Sequence, residues 1–413
     1  MALPGSKSIT NRALICAALA EGTSMINGAL LSDDTEAMLG CLASLGVRSS
    51  VQGAASDSPT IMVEGADGPA PVSGGVLDAR MSGTTSRFIA PLSVLGSATV
   101  VLDGAAQLRA RPMGDLWEAL RALGATVEPL GEEGKLPVEL SGGDRGVRGG
   151  SVEVRGDASS QFLSGLLLAA PVMRRGLRVT VTTELVSQPY VEMTLRVMEA
   201  FGARVERGDG LRTIEVQPGG YEGRNYTVEP DASAASYFLA LAAVTGGDLT
   251  IEGLGSESLQ GDVGFVDVLA QMGASVTQTG STTQVVGTGQ LHGVNVDMSQ
   301  ISDTAQTLGA IAPLADGPTT VDGIGFIRGK ETDRIAAVVT ELGRLGVDAT
   351  EDPDGFTVQP GTPSPAVVKT YDDHRMAMSF AVLGLAAGGL SIADPACVAK
   401  TFPRFWGTVD SLR

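Results

Sequence analysis

Several kinds of residue and segment are scarce in this chain, and each scarcity excludes a class of protein. The three cysteines, Cys16, Cys41 and Cys397, are too few and too far apart for a disulfide framework or a cysteine metal site. No apolar run reaches the roughly eighteen residues of a membrane-spanning helix, and the first residues lack the pattern of a signal peptide. We therefore expect a cytoplasmic protein with reduced thiols and no membrane partner.

Positive charge is also in short supply. The 413 residues carry a formal net charge of −18, from 29 Lys and Arg against 47 Asp and Glu, which argues against nucleic acid as a partner. Only five of the cations are lysines, and Lys7, Lys330 and Lys400 lie in segments that other features single out. Because a lysine can be tuned to exchange protons whereas an arginine stays charged, these three are candidates for chemistry.

An internal repeat dominates the rest of the chain. Six apolar helices begin with small polar residues about every 70 to 76 residues, at Ser8, Thr84, Ser160, Ser233, Asp303 and His374. Helix endings with a glycine suited to the left-handed C-cap position recur about every 71 to 78 residues, at Gly46, Gly124, Gly202, Gly273 and Gly346. The length predicts two domains, each with three copies of the module, apolar helices inside and strands outside. We place the boundary between residues 1–227 and 228–413.

The opening segment, residues 4–12, is typical of a helix start that binds anions. The first backbone N–H groups of a helix lack carbonyl partners, and the helix dipole is positive at the same end. Lys7 and Arg12 add two full positive charges there. An ordinary capped helix with a solvated lysine is the alternative interpretation.

Three further segments contain candidate groups for chemistry. Residues 328–334 place Lys330 beside Glu331, a pair suited to general acid–base work or simply to a solvated helix start. His374, one of two histidines, follows two aspartates and precedes an apolar helix, where a structural hydrogen bond is the common role. Ser159-Ser160-Gln161 could be a plain N-cap. Because the six polar helix starts lie in register along the chain, the structural interpretations weaken together.

These motifs together resemble the 5-enolpyruvylshikimate-3-phosphate synthase family, from Leu3 to Pro403. The resemblance rests on Pro-Gly-Ser-Lys-Ser-Ile-Thr-Asn-Arg, Gly-Lys-Glu-Thr-Asp-Arg, Asp-Asp-His-Arg-Met-Ala-Met and Lys-Thr-Phe-Pro, in this order. It implies a mixed α/β (α+β) enolpyruvyl transferase fold with two domains of three βαβαββ units, the extreme N-terminus near the hinge, and an active site in the interdomain cleft. The implied reaction transfers the enolpyruvyl group of phosphoenolpyruvate to the 5-hydroxyl of shikimate 3-phosphate and releases phosphate. No metal and no cofactor is expected, and the protein is expected to be a monomer.

The resemblance also implies a set of ligands for each substrate. Shikimate 3-phosphate is expected to be bound by Lys7, Ser8, Arg12, Ser159, Ser160, Gln161, Ser187, Asp303 and Lys330, with Tyr190 beside the ring. Phosphoenolpyruvate is expected to be bound by Lys7, Gly83, Arg111, Gln161, Arg334, Arg375 and Lys400. Forked arginines suit carboxylate and phosphate oxygens. Since the family's inhibitor glyphosate uses the same pocket, Gly83 predicts a sensitive enzyme.

The same resemblance assigns the catalytic roles. Asp303 is the candidate base for the 5-hydroxyl, with Lys330 binding that hydroxyl. Glu331 is the candidate acid for the methylene carbon of phosphoenolpyruvate, and Lys7 is its competitor. His374 is expected to orient Glu331 or the substrate.

Two alternatives and one departure from the family pattern stay open. UDP-N-acetylglucosamine enolpyruvyltransferase shares the fold and the donor, but it uses a loop cysteine that residues 108–112 lack. A non-catalytic phosphate-ligand binder needs cations but not Asp303 and Glu331. The family usually begins about a dozen residues earlier, with a strand that joins the C-terminal domain. We therefore expect either a start upstream of Met1 or a sheet with one strand fewer.

Overall fold

The computed structural model describes residues 1–54, 56, 58–70 and 74–412. The chain forms two compact units. The N-terminal unit is Gly5–Val228, and the C-terminal unit combines Met1–Pro4 with Glu229–Arg413.

The N-terminal unit alternates helices with short strands. Its α-helices are α1 (Lys7–Leu19), α2 (Asp33–Ser44), α3 (Gly83–Ser93), α4 (Ala106–Arg109), α5 (Gly114–Ala122), α6 (Ser160–Ala169) and α7 (Gln188–Ala200). Its strands are β1 (Ala20–Glu21), β2 (Thr23–Asn27), β3 (Arg48–Gln52), β4 (Thr60–Glu64), β5 (Gly75–Asp78), β6 (Thr99–Asp103), β7 (Thr126–Pro129), β8 (Val138–Ser141), β9 (Gly150–Val154), β10 (Leu177–Val181), β11 (Val205–Arg207), β12 (Thr213–Val216), β13 (Tyr221–Glu222) and β14 (Asn225–Thr227). Short 3-10 helices cover Ala170–Val172 and Asp209–Leu211.

Three four-stranded sheets of the N-terminal unit share one topology. Their strand orders are β14-β2-β4-β3, β5-β6-β8-β7 and β11-β12-β10-β9. In each, one parallel pair (β14 with β2, β5 with β6, β9 with β10) is extended by antiparallel strands. The second and third sheets are built from continuous βαβαββ units. The first borrows β14 from the end of the unit, since Tyr226 pairs with Ile26. Strands β1 and β13 form a separate parallel pair.

The C-terminal unit repeats the pattern. Its α-helices are α8 (Ala232–Thr245), α9 (Phe265–Gln271), α10 (Ala305–Ile311), α11 (Arg334–Arg344), α12 (His374–Ala387) and α13 (Phe405–Asp410). Its strands are β15 (Asp248–Glu252), β16 (Ser275–Gln278), β17 (Thr282–Val286), β18 (Asn295–Asp297), β19 (Thr319–Asp322), β20 (Ala349–Asp352), β21 (Gly355–Val358), β22 (Ala366–Val368) and β23 (Leu390–Ile392). Its 3-10 helices are Gly261–Gly264, Ser302–Thr304, Ala312–Leu314, Gly325–Gly329 and Pro395–Lys400.

The sheets of the C-terminal unit differ in completeness. The order β18-β19-β21-β20 reproduces the four-stranded sheets of the other unit, with β18 parallel to β19. Among the described residues, β15-β17-β16 has three strands and β22-β23 has two. The sheet that contains β15 thus has one strand fewer than the four-stranded sheets. The amino group of Met1 donates a hydrogen bond to the carbonyl oxygen of Thr250 in β15 (2.6 Å).

The helices and the strands differ in how deeply their residues are buried. Most residues of α1, α3, α6, α8, α10 and α12 are buried. Strands such as β10 and β6 instead alternate between buried and more exposed residues, as strands with one solvent face do. The predicted arrangement of apolar helices inside and strands outside is confirmed. The five glycines predicted after helices all have positive φ, from 78° at Gly346 to 104° at Gly273.

Candidate active site

Helix starts hold most of the candidate residues. Lys7, Gly83, Ser160 and His374 are the first residues of α1, α3, α6 and α12. Each of these helices is capped by a preceding side chain that accepts a backbone N–H, namely Ser6, Ser82, Ser159 and Asp373. Asp303 differs, because it lies in the 3-10 helix Ser302–Thr304 directly before α10. The predicted helix start is therefore present there, but as a tighter turn.

In the C-terminal unit, five of the candidate side chains and that of Asp373 form a largely buried cluster of alternating charge. We call it the carboxylate–cation cluster, and it consists of Asp303, Glu331, Arg334, Asp373, Arg375 and Lys400. Asp303 joins two arginines, through Oδ1 to Arg334 Nη1 (3.1 Å) and through Oδ2 to Arg375 Nη2 (2.6 Å). Glu331 joins Arg334 Nη2 (2.8 Å) to Lys400 Nζ (2.8 Å). Three cations thus face three carboxylates.

Arg334 is the centre of this cluster. Its side chain is 2% exposed, and its Nε donates to Asp373 Oδ2 at 2.8 Å. Burial by itself lowers the pKa of Arg334, but the carboxylates of Asp373, Glu331 and Asp303 outweigh burial and raise that pKa. Arg334 therefore stays charged, and the three carboxylates are held around a permanent cation.

The remaining candidates of the C-terminal unit lie at the border of the cluster. Arg375 also donates to Ser233 Oγ and to Tyr237 Oη, both at 3.4 Å, and burial raises the pKa of Tyr237 to about 12. Buried His374 has its Nδ1 3.6 Å from Asp373 Oδ1. Lys330 follows the 3-10 helix Gly325–Gly329, directly before Glu331, and is partly buried.

In the N-terminal unit, Gly83 lies against two guanidinium groups. A Cβ at this position would come within 2.5 Å of Arg111 Nη1 and 2.2 Å of Arg87 Nη1. The absence of a side chain is therefore what lets both arginines approach the start of α3. In the same unit, Lys7 Nζ lies 3.3 Å from Asp34 Oδ2, and both side chains are largely buried.

Arg12 connects the first turns of α1 with α7. Its Nη1 donates to the carbonyl oxygen of Ser8 (2.9 Å), its Nη2 to that of Tyr190 (3.1 Å), and its Nε to Thr194 Oγ1 (2.7 Å). Burial lowers the pKa of Arg12 to about 10. Ser187 is the buried N-cap residue of α7 and has a left-handed φ of 53°.

The starts of α3 and α6 lie side by side. Gln161 Nε2 donates to Thr84 Oγ1 at 3.3 Å, which joins the first turns of both helices. Ser159 caps α6 by accepting the backbone N–H of Gln161 (3.3 Å), and Ser160 is buried next to it. The predicted serine–glutamine set therefore shares one location with the Gly83 segment.

The sequence interpretation missed several neighbours of these residues. They are Asp34, Arg87, Tyr237 and Asp373, whereas Thr84 and Ser233 were predicted only as helix starts. Asp373 was visible inside the Asp-Asp-His-Arg motif, and Arg87 follows Gly83 by one helical turn, so helical spacing could have found both. No signal in the sequence pairs Asp34 with Lys7, because this contact joins α2 to α1.

The described residues contain neither a metal-binding cluster nor a membrane-spanning helix. No group of three or more histidine, cysteine or acidic side chains within the described ranges is arranged to hold a metal ion. None of the described helices is long and apolar enough to cross a membrane.

Comparison with known proteins identifies the family. The family model of EPSP synthase (3-phosphoshikimate 1-carboxyvinyltransferase) matches residues 1–409. A 3-phosphoshikimate 1-carboxyvinyltransferase of Nostoc punctiforme is 45% identical over 405 residues, which cover 98% of this chain and 94% of the relative. One from Methanosphaerula palustris is 44% identical over 410 residues, covering 98% and 95%. The structure of EPSP synthase from Acinetobacter baumannii superposes with a TM-score of 0.81 and 27% identity, over 100% of this chain and 94% of that one. With the fold and the arrangement of its helix starts, this places the chain in the EPSP synthase family.

Proposed function

We propose that the candidate residues of both units serve one reaction, in which the enolpyruvyl group of phosphoenolpyruvate passes to the 5-hydroxyl of shikimate 3-phosphate. The chain is a 3-phosphoshikimate 1-carboxyvinyltransferase of the shikimate pathway. The observation that supports the assignment of residues is the carboxylate–cation cluster. In it, Asp303 and Glu331 each contact two cations within 3.1 Å.

The cluster is suited to exchange its partners when an anion binds. Phosphoenolpyruvate carries a phosphate and a carboxylate, which match the forked donors of Arg334 and Arg375 and the ammonium of Lys400. The phosphate and the carboxylate of phosphoenolpyruvate would each bind to these cations in place of a protein carboxylate. Asp303 and Glu331 would then face the reacting atoms while the cations stay neutralised.

The released carboxylates account for both proton transfers of the addition step. Asp303 takes the proton of the 5-hydroxyl as that oxygen bonds to C2 of phosphoenolpyruvate. Glu331, which takes up a proton from solvent once it has left its two cations, or the Lys7 ammonium in its place, gives a proton to the methylene carbon, and a tetrahedral intermediate results. In the elimination step the methyl group returns a proton to that same group and the bond from C2 to the phosphate oxygen breaks, so phosphate leaves. The cations stabilise the charge that develops on the phosphate.

Binding residues are assigned by the same proposal. Shikimate 3-phosphate is bound by Lys7, Ser8, Arg12, Ser159, Ser160, Gln161, Ser187, Asp303 and Lys330. Phosphoenolpyruvate is bound by Lys7, Gly83, Arg111, Gln161, Arg334, Arg375 and Lys400. The approach of Arg111 to Gly83 supports the second set, because it places a guanidinium at a helix start that already favours anions.

The cellular setting is part of the proposal. We propose a cytoplasmic enzyme that acts as a monomer and needs neither metal nor cofactor. The role of His374, the domain boundary at residues 227 and 228, and the location of the active site in a cleft between domains stay predictions.

Phosphate release tests the assignment of the acceptor. The protein is given phosphoenolpyruvate with either shikimate 3-phosphate or UDP-N-acetylglucosamine, and phosphate is measured over time. We expect release with the shikimate compound alone. Release with the nucleotide sugar would overturn the acceptor and its ligand set, and release with neither would favour a phosphate-ligand binder.

A matched pair of variants tests the cluster itself. Arg334→Gln removes the central cation, whereas Arg328→Gln removes a partly exposed arginine that pairs with Asp333 and Glu351. We expect loss of phosphate release in the first variant and near wild-type release in the second. Equal activity of both variants would contradict the role of Arg334.

A further inference from the structure

The turn directly before α12 has an unusual backbone. Asp373 N donates to the carbonyl oxygen of Thr370 at 2.9 Å, which closes a four-residue turn. Both central residues have left-handed φ, 56° at Tyr371 and 55° at Asp372. This is the pattern of a type I′ turn, which favours asparagine and glycine and disfavours a bulky residue such as tyrosine. Neighbouring contacts must therefore stabilise this turn.

Glu341 of α11 supplies those contacts. Its Oε1 accepts the hydroxyl of Tyr371 at 2.7 Å, and its Oε2 accepts the backbone N–H of Lys369 at 2.9 Å. Arg344 Nη1 donates to both oxygens, at 2.9 and 2.8 Å. Glu341 is 1% exposed. One buried carboxylate therefore binds both Tyr371, the first central residue of the turn, and Lys369, the residue directly before the turn.

Helix α11 thus contacts the two ends of the turn with one face. Arg334, its first residue, donates to Asp373 at the end of the turn, and Glu341 lies about two helical turns further along. Asp373 also accepts the backbone N–H of Arg375 (2.8 Å) and so caps α12. The position of the turn therefore determines where the Asp373 carboxylate lies. That carboxylate in turn accepts hydrogen bonds from Arg334 and from the backbone at the start of α12.

We propose that Glu341 and Tyr371 are positioning residues for enolpyruvyl transfer. They hold the turn in its left-handed conformation, so that Asp373 orients Arg334 and Arg375 reaches Asp303. Neither residue touches the substrate in this scheme. The inference rests on the proposed function, because it assigns these residues to the phosphoenolpyruvate side of that reaction.

A role in positioning predicts a larger effect on phosphoenolpyruvate than on shikimate 3-phosphate. If the turn shifts, Arg334 and Arg375 lose their alignment, and both belong to the proposed phosphoenolpyruvate set. The serines and Gln161 of the shikimate set belong to the N-terminal unit, whereas Asp303 of that set bonds Arg334 and Arg375, so a smaller effect is expected on shikimate 3-phosphate. A purely structural role would instead lower stability without separating the two substrates.

Tyr371→Phe is the variant of choice, since it removes one hydroxyl and keeps the ring. Its control is Tyr221→Phe, which removes the buried hydroxyl that donates to the carbonyl oxygen of Leu168 (2.9 Å) in the N-terminal unit. We expect Tyr371→Phe to raise the KM for phosphoenolpyruvate about fivefold, the scale of one positioning hydrogen bond, with a smaller rise in the KM for shikimate 3-phosphate. Glu341→Gln should act in the same direction and more strongly, and Tyr221→Phe should change neither KM.

Asp372→Gly provides a rescue. Glycine adopts a left-handed φ without strain, so the turn would need less support from Tyr371. In the Tyr371→Phe background we expect Asp372→Gly to return the KM for phosphoenolpyruvate towards the wild-type value. Absence of rescue would contradict an action through the turn.

The remaining outcomes separate this inference from the proposed function. A Tyr371→Phe variant with an unchanged KM for phosphoenolpyruvate, or with equal rises in both KM values, would overturn the positioning role alone. A wild-type protein that releases no phosphate with shikimate 3-phosphate would overturn the proposed function and this inference with it.

Discussion

Among single residues, Asp303 and Glu331 each pair with two cations and are proposed to transfer a proton. The amide variants distinguish these two roles, because their effects on the KM and on kcat differ. Asp303→Asn and Glu331→Gln keep the shape of the side chain but remove its charge and its capacity for proton transfer. We expect kcat to fall by about 100- to 10,000-fold in each variant, the usual contribution of a general acid or base. The KM for phosphoenolpyruvate should not rise, because Arg334, Arg375 and Lys400 lose an internal competitor for the substrate anion. Steady-state kinetics with both substrates measure the two effects.

Glu351→Gln is the matched control for these variants. Glu351 also pairs with an arginine, Arg328, but its side chain is 48% exposed, and such pairs contribute little. Its kinetics should equal those of the wild type. If Asp303→Asn or Glu331→Gln kept a kcat within tenfold of the wild type, the corresponding catalytic role would be withdrawn. In the case of Glu331, Lys7 would then become the candidate acid.

A prediction for Gly83 follows from the lack of room for a side chain at this position. An added Cβ would lie 2.5 Å from Arg111 Nη1 and 2.2 Å from Arg87 Nη1, so both guanidinium groups must move. We expect Gly83→Ala to raise the KM for phosphoenolpyruvate and to weaken inhibition by glyphosate, each by about tenfold or more, the effect of losing one charge-assisted contact. Inhibition is measured in the same phosphate assay.

The control for Gly83→Ala is Gly114→Ala at the start of α5. There a Cβ would meet its nearest atom at 3.8 Å, an ordinary contact. Gly114→Ala should have the KM for phosphoenolpyruvate and the sensitivity to glyphosate of the wild type. Unchanged inhibition of Gly83→Ala would contradict the proposed position of the phosphoenolpyruvate pocket.

What the sequence could reveal about single residues depended on whether their partners were local. Lys7, Gly83 and Asp303 stood out because each begins or precedes an apolar helix, a signal contained in a few neighbouring residues. Asp34 did not stand out, since its meaning comes from Lys7 on another helix. The charge of Arg12 predicted an anion-binding helix start, and the family resemblance made it a ligand of shikimate 3-phosphate. The structure adds that its guanidinium bonds to α7.

Among elements, the end of α11 carries two glycines with opposite conformational demands. Gly346 has φ +78°, whereas Gly343 lies within the helix, where an added Cβ would meet no atom within 4 Å. We expect Gly346→Ala to lower the free energy of unfolding by about 1 to 2 kcal/mol, the cost of a left-handed alanine. Gly343→Ala should raise it by about 0.5 to 1 kcal/mol, because alanine favours the helix. Urea unfolding of both variants measures the difference.

These two variants control for each other, as they add the same methyl group three positions apart. Effects of equal sign would contradict the assignment of Gly346 as the residue that ends the helix. The same assignment holds at Gly46, Gly124, Gly202 and Gly273, which is why the sequence could predict where these helices end.

Strand pairing was less accessible to sequence analysis than the helix ends. Strand β14 pairs with β2, although Tyr226 and Ile26 are far apart in the chain. Nothing local in Asn225–Thr227 indicates that this strand completes the first sheet. The start of α10 shows a smaller difference, because Ser302–Thr304 forms a 3-10 helix in place of the expected capped α-helix. Pairing and tight turns depend on contacts distant in sequence, whereas caps and periodicity do not.

For the molecule as a whole, buried cysteine thiols and tyrosine hydroxyls make the free energy of unfolding depend on pH in the alkaline range. Burial raises the pKa of Cys16, Cys41 and Cys397 from 9.0 to about 12, and that of Tyr237 from 10.0 to about 12. Partial burial and the bond to Glu341 also raise the pKa of Tyr371 to about 12. The folded protein therefore keeps protons that the unfolded chain loses as the pH rises through 9 and 10.

The free energy of unfolding should consequently fall as the pH increases from 9 towards 12. Arg12 acts in the opposite direction around and above pH 10, since burial lowers its pKa to about 10, and the tyrosines of the unfolded chain also ionise there. The window from pH 8 to 9 therefore reports mainly on the thiols. There, each fully buried thiol contributes a slope of at most about 1.4 kcal/mol per pH unit. Urea unfolding under reducing conditions at pH 8, 9 and 10 measures the slope, and Cys41→Ala should make it shallower. A free energy of unfolding that stays constant from pH 8 to 9 would mean that these thiols ionise as readily in the folded protein as in the unfolded chain.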